Sequence, residues 1–288
     1  MEKYLRLLRP KHGVKNLLAL LPAFLSGESF SWGGLGYGLL AAMLFWIAAS
    51  GVYAANDLLD APRDRLHPVK RFRPVASGEI PAWTAAGLAF GLWTVAIVAS
   101  LFLFSWQAAL LVMIYIVVNL AYSLGLKDVP VVETAALAAG FLIRVAYGGL
   151  AAGHAMPSWL MLCVAGASFH LVLDKRRNEV CKAGGDIGAT RRVLSVYDEA
   201  FLSRSIGLCR SLSVMCYAAW AVSSGEGGAF AAYLPITVPL LLVTSFLYDL
   251  SMGRVPEDRD MVSTVLGDRP LVISAVLFLA AIGIVLYV

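Results

Sequence analysis

Charge is scarce in this chain: only 15% of its 288 residues are Asp, Glu, Lys or Arg, whereas 59% are hydrophobic and the mean hydropathy is +0.76. That scarcity excludes a water-soluble globule with an ordinary polar surface and indicates a membrane protein. Cysteine is sparse as well. Cys163, Cys181, Cys209 and Cys216 show no metal-ligand spacing and fall in apolar segments or on the side expected to be cytoplasmic, so neither a cysteine metal centre nor a disulfide is expected. The N-terminus lacks the marks of a cleavable signal peptide. "MEKYLRLLRPKHGVKN" stays basic too long and no small-residue cleavage site follows, so it reads as an amphipathic lead-in lying on the membrane surface.

What the chain has in abundance is apolar runs of about the 20 residues that span a hydrocarbon core. Nine lie near residues 16–30, 36–56, 82–103, 106–124, 130–151, 157–173, 205–223, 229–248 and 270–288. An all-α, polytopic membrane protein with nine transmembrane helices follows.

Of the 23 Lys and Arg residues, 21 fall on one side of that arrangement. The connections near 30–35, 104–105, 152–156 and 224–228 contain none. The positive-inside rule then places the N-terminus in the cytoplasm and the C-terminus outside. The two exceptions are Arg144, near the middle of the fifth run, and Arg210, about one turn into the seventh. Arg210 is within snorkelling distance of the cytoplasmic surface, whereas Arg144 needs a buried partner or an aqueous cavity.

The polar residues concentrate in two long cytoplasmic loops, near 57–81 and 174–204, four helices apart. They face the same side, as two parallel four-helix repeats require, and within a single transmembrane domain covering 1–288 they would form one polar site. The first loop begins "NDLLDAPRDRLHPVKRFRP" (56–74). Asp57, Asp60 and Asp64 stand at i, i+3 and i+7, on one face of a helix continuing past the membrane, with Asn56 beside them. Pro62 weakens that helix and offers Asp64 an alternative route to the site from a turn. Such carboxylates suit Mg²⁺ shared with substrate phosphates, and Arg63, Arg65, Lys70, Arg71 and Arg73 suit the phosphates themselves. The alternative is a solvated loop whose cations orient the helices.

"NDLLDAPRD" resembles the first aspartate-rich motif of the UbiA superfamily of intramembrane prenyltransferases. "LRPKHGVKN" (8–16), "DRLHPVKRFRPVASGEI" (64–80), "AYSLGLKDVPVVE" (121–133), "FLIRVAYGG" (141–149), "DKRRNE" (174–179) and "RRVLSVY" (191–197) are similar to its decaprenyl-phosphate phosphoribosyltransferase branch. The resemblance implies a UbiA-like bundle of nine helices in the cell (inner) membrane with its active site facing the cytoplasm. It also implies Mg²⁺ as cofactor, phosphoribosyl diphosphate as donor and a polyprenyl phosphate as acceptor. Diphosphate would be released, with inversion at the ribose C1, in synthesis of a cell-envelope glycolipid precursor. The lipid bilayer is a partner, nucleic acid is not, and a homo-oligomer is compatible with the pattern.

On this reading Asp57, Asp60 and Asp64 hold the metal. Substrate contacts fall to Asn56, Lys11, Lys15, Lys70, Arg71, Arg73, Tyr122, Lys127, Arg144, Lys175, Arg176, Arg177 and Glu179. Two departures from the branch pattern stand out. His12-Gly13 replaces a frequent Gln-Trp pair, and Asp174, ahead of the Lys-Arg-Arg run, either adds a metal ligand or orients an arginine. Prenyl-transferring members usually carry a second aspartate-rich motif where this chain has "DKRRNE", so cations have largely replaced the acids. A prenyltransferase using a prenyl diphosphate donor is the alternative, and a nonenzymatic transporter or lipid-binding protein is a third class. His67 is a further candidate for phosphate contact; His154 and His170 read as packing or hydrogen-bonding residues. Asp249 and the connection around it receive no catalytic role.

Overall fold

A computed structural model describes residues 2–26, 31–182, 192–224, 231–253, 264–265 and 267–287, with only the backbone for Lys11, His12, Lys182, Arg192 and Ala231. All regular structure among the described residues is helical, as expected. The chain forms two compact units, Met1–Met156 and Pro157–Val288.

The first unit contains α1 (Glu2–Leu8), a 3-10 segment (Pro10–Leu20) running into α2 (Leu21–Phe24), α3 (Trp32–Asp64), α4 (Ala82–Leu103), α5 (Trp106–Leu124) and α6 (Val132–Ala152). The second contains α7 (Ser158–Lys182), α8 (Glu199–Ser223), α9 (Val238–Met252, preceded by a 3-10 segment) and α10 (Arg269–Tyr287). Among the described residues, seven helices are long and apolar enough to cross a membrane. In their described parts the segments expected as the first and sixth spans are largely helical but fall outside that set. Gly13–Phe24 is apolar and short, and α7 carries His170, Asp174 and the Lys175–Arg177 run in its second half.

α3 organises the first unit. Ser31 caps it by accepting a hydrogen bond from the Gly34 N–H at 2.9 Å. At about 1.5 Å per residue its 33 residues reach roughly 50 Å, well beyond a hydrocarbon core of about 30 Å. The excess forms the polar end that carries Asn56 to Asp64. Ala41, Ala42, Ala48 and Ala49 line its buried face and let neighbouring helices approach closely. Between them the Phe45 ring packs 4.6 Å from Tyr115 and 5.4 Å from Tyr147 (centroids), and the Tyr147 hydroxyl meets Ser100 Oγ at 2.7 Å.

Gly148 on α6 lies directly against the backbone of Ala19, where a Cβ would overlap the peptide. Close packing therefore accounts for that member of the small-residue stretch. In the second unit Gly166 plays the same part: a Cβ would fall 2.8 Å from the Cys209 carbonyl oxygen of α8. Leu173, Val193, Leu194, Tyr197, Leu202 and Ile206 close a core beneath the polar end of α7.

Candidate active site

The last turns of α3 place Asp57, Asp60 and Asp64 on one face, and the helix runs through Pro62 to end at Asp64. Asp64 therefore belongs to the helix rather than to a turn. Asp57 and Asp64 are buried, at 1% and 4% exposure. A buried carboxylate needs partners, because desolvation of an unpaired charge costs several kcal/mol.

The partners come from three other segments. Arg9 ion-pairs with Asp57. Arg73 Nη1 lies 2.8 Å from Asp64 Oδ2 and 3.5 Å from Asp57 Oδ1, bridging the two acids. Lys127 Nζ contacts Asp60 Oδ1 at 2.6 Å. Asn56 Oδ1 accepts a 2.5 Å hydrogen bond from the Ser123 hydroxyl, which holds the end of α5 beside the end of α3.

Local backbone geometry explains how Arg9 arrives. α1 ends at Leu8, and Arg9 adopts a left-handed conformation (φ 50°, ψ 60°) immediately before Pro10. That conformation costs about 1–2 kcal/mol for a residue with a Cβ. It turns the chain out of α1 and sets the guanidinium 5.3 Å from the Tyr53 ring centroid as it reaches Asp57. A cavity of about 300 Å³ opens here, lined by Arg6, Arg9, Asp57, Val69, Phe72, Arg73 and Pro74. Asp57 Oδ2 is buried without a hydrogen-bond partner. Three carboxylates, one with an unshared buried oxygen, and a neighbouring carboxamide form a hard-oxygen set of the kind Mg²⁺ takes. The residues present fit that ion.

Among the predicted contacts, Asn56, Arg73 and Lys127 join the three aspartates. Lys70 and Arg71 lie on the 3-10 turn Lys70–Phe72, with the exposed Arg71 guanidinium 4.8 Å from the Phe72 ring centroid. His67 Nδ1 accepts from the N–H groups of Val69 and Lys70, so its ring holds that turn. Tyr122 is half-buried on α5 and Lys15 is exposed on the 3-10 segment; the Lys11 side chain lies outside the described structure.

Arg144 is buried and donates from all three of its guanidinium nitrogens. Nε donates to Asn16 Oδ1 at 2.8 Å, Nη1 to the Gly140 carbonyl at 2.6 Å and Nη2 to the Tyr115 hydroxyl at 3.0 Å. Its guanidinium also lies about 5 Å from the Phe45 and Tyr115 ring centroids. Its observed partners are thus neutral groups.

The remaining predicted residues belong to α7 of the second unit. Lys175 is exposed. Arg176 is buried and contacts Glu179 Oε2 at 2.5 Å, while Arg177 Nη2 contacts Asp174 Oδ1 at 2.8 Å. Arg210 ion-pairs with Asp249 instead of reaching the surface alone.

Sequence reasoning overlooked Arg9, Ser123 and Tyr53. The proline after Arg9 marked a helix break, since residues before proline avoid the α region, but nothing local named Asp57 as its partner.

Residues 17–259 match the UbiA prenyltransferase family. A decaprenyl-phosphate phosphoribosyltransferase of Mycobacterium tuberculosis is 33% identical over 283 residues, spanning 96% of this chain and 91% of that one. Its namesake in Corynebacterium glutamicum is 29% identical over 293 residues, spanning 99% and 86%. A solved UbiA homolog from Archaeoglobus fulgidus bound to GPP and Mg²⁺ superposes with a TM-score of 0.72 at 18% identity, covering 99% of both chains. With an aspartate-bearing helix end at its polar site and a family match over most of its length, the chain belongs to the UbiA prenyltransferase family.

Proposed function

We propose that this protein is a Mg²⁺-dependent polyprenyl-phosphate phosphoribosyltransferase. It moves the 5-phosphoribosyl group from phosphoribosyl diphosphate to a decaprenyl-like phosphate and releases diphosphate, in the service of cell-envelope glycolipid synthesis. The observation that carries the reading is the pairing of Asp57, Asp60 and Asp64 with Arg9, Arg73 and Lys127 at a helix end. The similarity to named phosphoribosyltransferases over nearly the whole chain supports it.

Asp57, Asp60 and Asp64 would hold the metal, which when bound supplies charge neutralisation for the leaving diphosphate. Arg9 and Arg73 sit on the same carboxylates that would hold the metal, and with those oxygens taken both guanidinium groups would be available to bind phosphate, in the bidentate mode Arg favours. Lys127 does the same from Asp60. Lys175, Arg176 and Arg177 with Glu179, and Lys11, Lys15, Lys70, Arg71 and Tyr122, are assigned to substrate on charge and position in the sequence. The acceptor phosphate is already largely ionised near pH 7, so the chain needs no strong general base and works by positioning and electrostatic stabilisation.

We place nine membrane spans, the N-terminus in the cytoplasm and this site at the cytoplasmic face of the cell membrane. Arg9, Arg73 and Lys127 meet at one end of the first unit, and Arg6 pairs there with Glu79, which gathers its cationic segments on one side as the positive-inside rule asks.

The deciding experiment incubates purified protein with radiolabelled phosphoribosyl diphosphate, polyprenyl monophosphate and Mg²⁺, and follows label into the lipid phase. Transfer by the native protein, lost in folded Asp57→Asn, is the expected result. Absence of transfer across several lipid lengths, from folded protein, overturns the assignment and points to a prenyl diphosphate donor.

A further inference from the structure

The second unit holds a cluster that the proposed transfer does not use. His170 and Asp174 stand one turn apart on α7, so both project from the same helix face. Asp249 reaches them from α9. His170 Nε2 lies 3.3 Å from Asp249 Oδ1 and 3.8 Å from Asp174 Oδ2, and one ligating atom of each residue falls within 4.8 Å of the other two. His170 is 8% exposed and Asp174 is 0% exposed.

Two features point to an ion. Although close, the buried His170 Nε2 and Asp249 Oδ1 make no hydrogen bond, so they do not aim at one another along a donor–acceptor line. Moreover, each carboxylate is steadied from outside through its other oxygen. Arg177 holds Asp174 Oδ1 at 2.8 Å, and Arg210 holds Asp249 Oδ2. An imidazole and two carboxylates presenting one atom each, with outer partners fixing their orientation, is the layout of a metal's ligands and their supports. The 3.3 and 3.8 Å separations from His170 Nε2 suit metal–ligand bonds of about 2.0–2.2 Å, which place neighbouring ligand atoms roughly 3 Å apart or somewhat more. A nitrogen ligand selects a transition ion over Mg²⁺, whose partners are oxygens.

We propose that His170, Asp174 and Asp249 bind a single divalent transition-metal ion of the Mn²⁺ or Zn²⁺ class, with a ligand set unlike the all-oxygen aspartates of α3. Two carboxylates and a neutral imidazole balance its charge, and the arginines hold the carboxylates in place.

The test uses the full-length protein, stripped of metal and loaded with Mn²⁺, and reads nitrogen-14 coupling to the ion by pulsed electron paramagnetic resonance. The expected result is coupling in the native protein and in Asp57→Asn, and its loss in His170→Gln. Asp249→Asn, nearly isosteric, should weaken Mn²⁺ binding at the nitrogen-coupled site by at least about tenfold, and it decides the matter if His170→Gln fails to fold. Native protein without coupling, coupling that survives His170→Gln, or unchanged affinity in Asp249→Asn overturns the proposal and leaves an ionic network bridged by water. Because the measurement reads no transfer activity, it stands apart from the donor assignment.

Discussion

Arg9 and Asp57 are 48 residues apart in the chain and form an ion pair in which the carboxylate is almost wholly buried while the guanidinium remains partly exposed. The acid is therefore committed to the interior, whereas the base can exchange one anion for another. That asymmetry suits an arginine that rests on a carboxylate and moves to a phosphate.

Arg9→Ala should lower kcat/KM for phosphoribosyl diphosphate by roughly 10- to 150-fold, the equivalent of about 1.5–3 kcal/mol for a hydrogen bond to a charged group. Arg9→Lys should recover part of this, since it keeps the charge and loses the planar fork. Initial rates against donor concentration check both, and a kcat/KM unchanged in Arg9→Ala would make the pair purely structural.

Arg144 invites the opposite expectation. Each of its three guanidinium nitrogens donates to a neutral group, Asn16, Gly140 or Tyr115, so Arg144→Met removes three buried hydrogen bonds at a cost of about 1–3 kcal/mol. A lower midpoint of thermal unfolding in detergent, with the donor KM held within about twofold, is the predicted outcome. A raised KM at unchanged thermal stability would return Arg144 to the substrate.

Gly148→Ala should destabilise by about 1–3 kcal/mol, because the added methyl meets the Ala19 backbone rather than a side chain that can move. Gly87→Ala on exposed α4 surface, where a Cβ meets nothing within 4 Å, is the control and should be neutral or slightly stabilising. Thermal unfolding of the two variants side by side measures the difference.

Most of the helical plan was legible beforehand. The runs expected at 82–103 and 106–124 coincide with α4 and α5, because hydropathy and run length are properties of contiguous residues. The i, i+3, i+7 spacing likewise foretold a shared face for Asp57, Asp60 and Asp64. Less visible was the continuation of α3 through Pro62, where proline's local preference gave way to a helix end held by ion pairs. The surroundings of His170 were hidden for a related reason. Read alone in an apolar segment it is a packing or hydrogen-bonding residue, and only the fold brings Asp249 of α9 to 3.3 Å from its Nε2.

By itself, then, the chain's order of residues determined an all-helical membrane architecture, an acidic helix end and a cationic side, since periodicity, run length and charge placement are encoded locally. Only the tertiary structure decided which basic side chain meets which acid: Arg9 with Asp57, Lys127 with Asp60, Arg73 between Asp57 and Asp64, and the His170 imidazole with Asp249. Those pairings join residues as much as 79 positions apart, in the case of His170 and Asp249. They follow from how small-residue helix faces pack, and a charged side chain entering that packing takes whichever opposite charge spares it an unpaired burial.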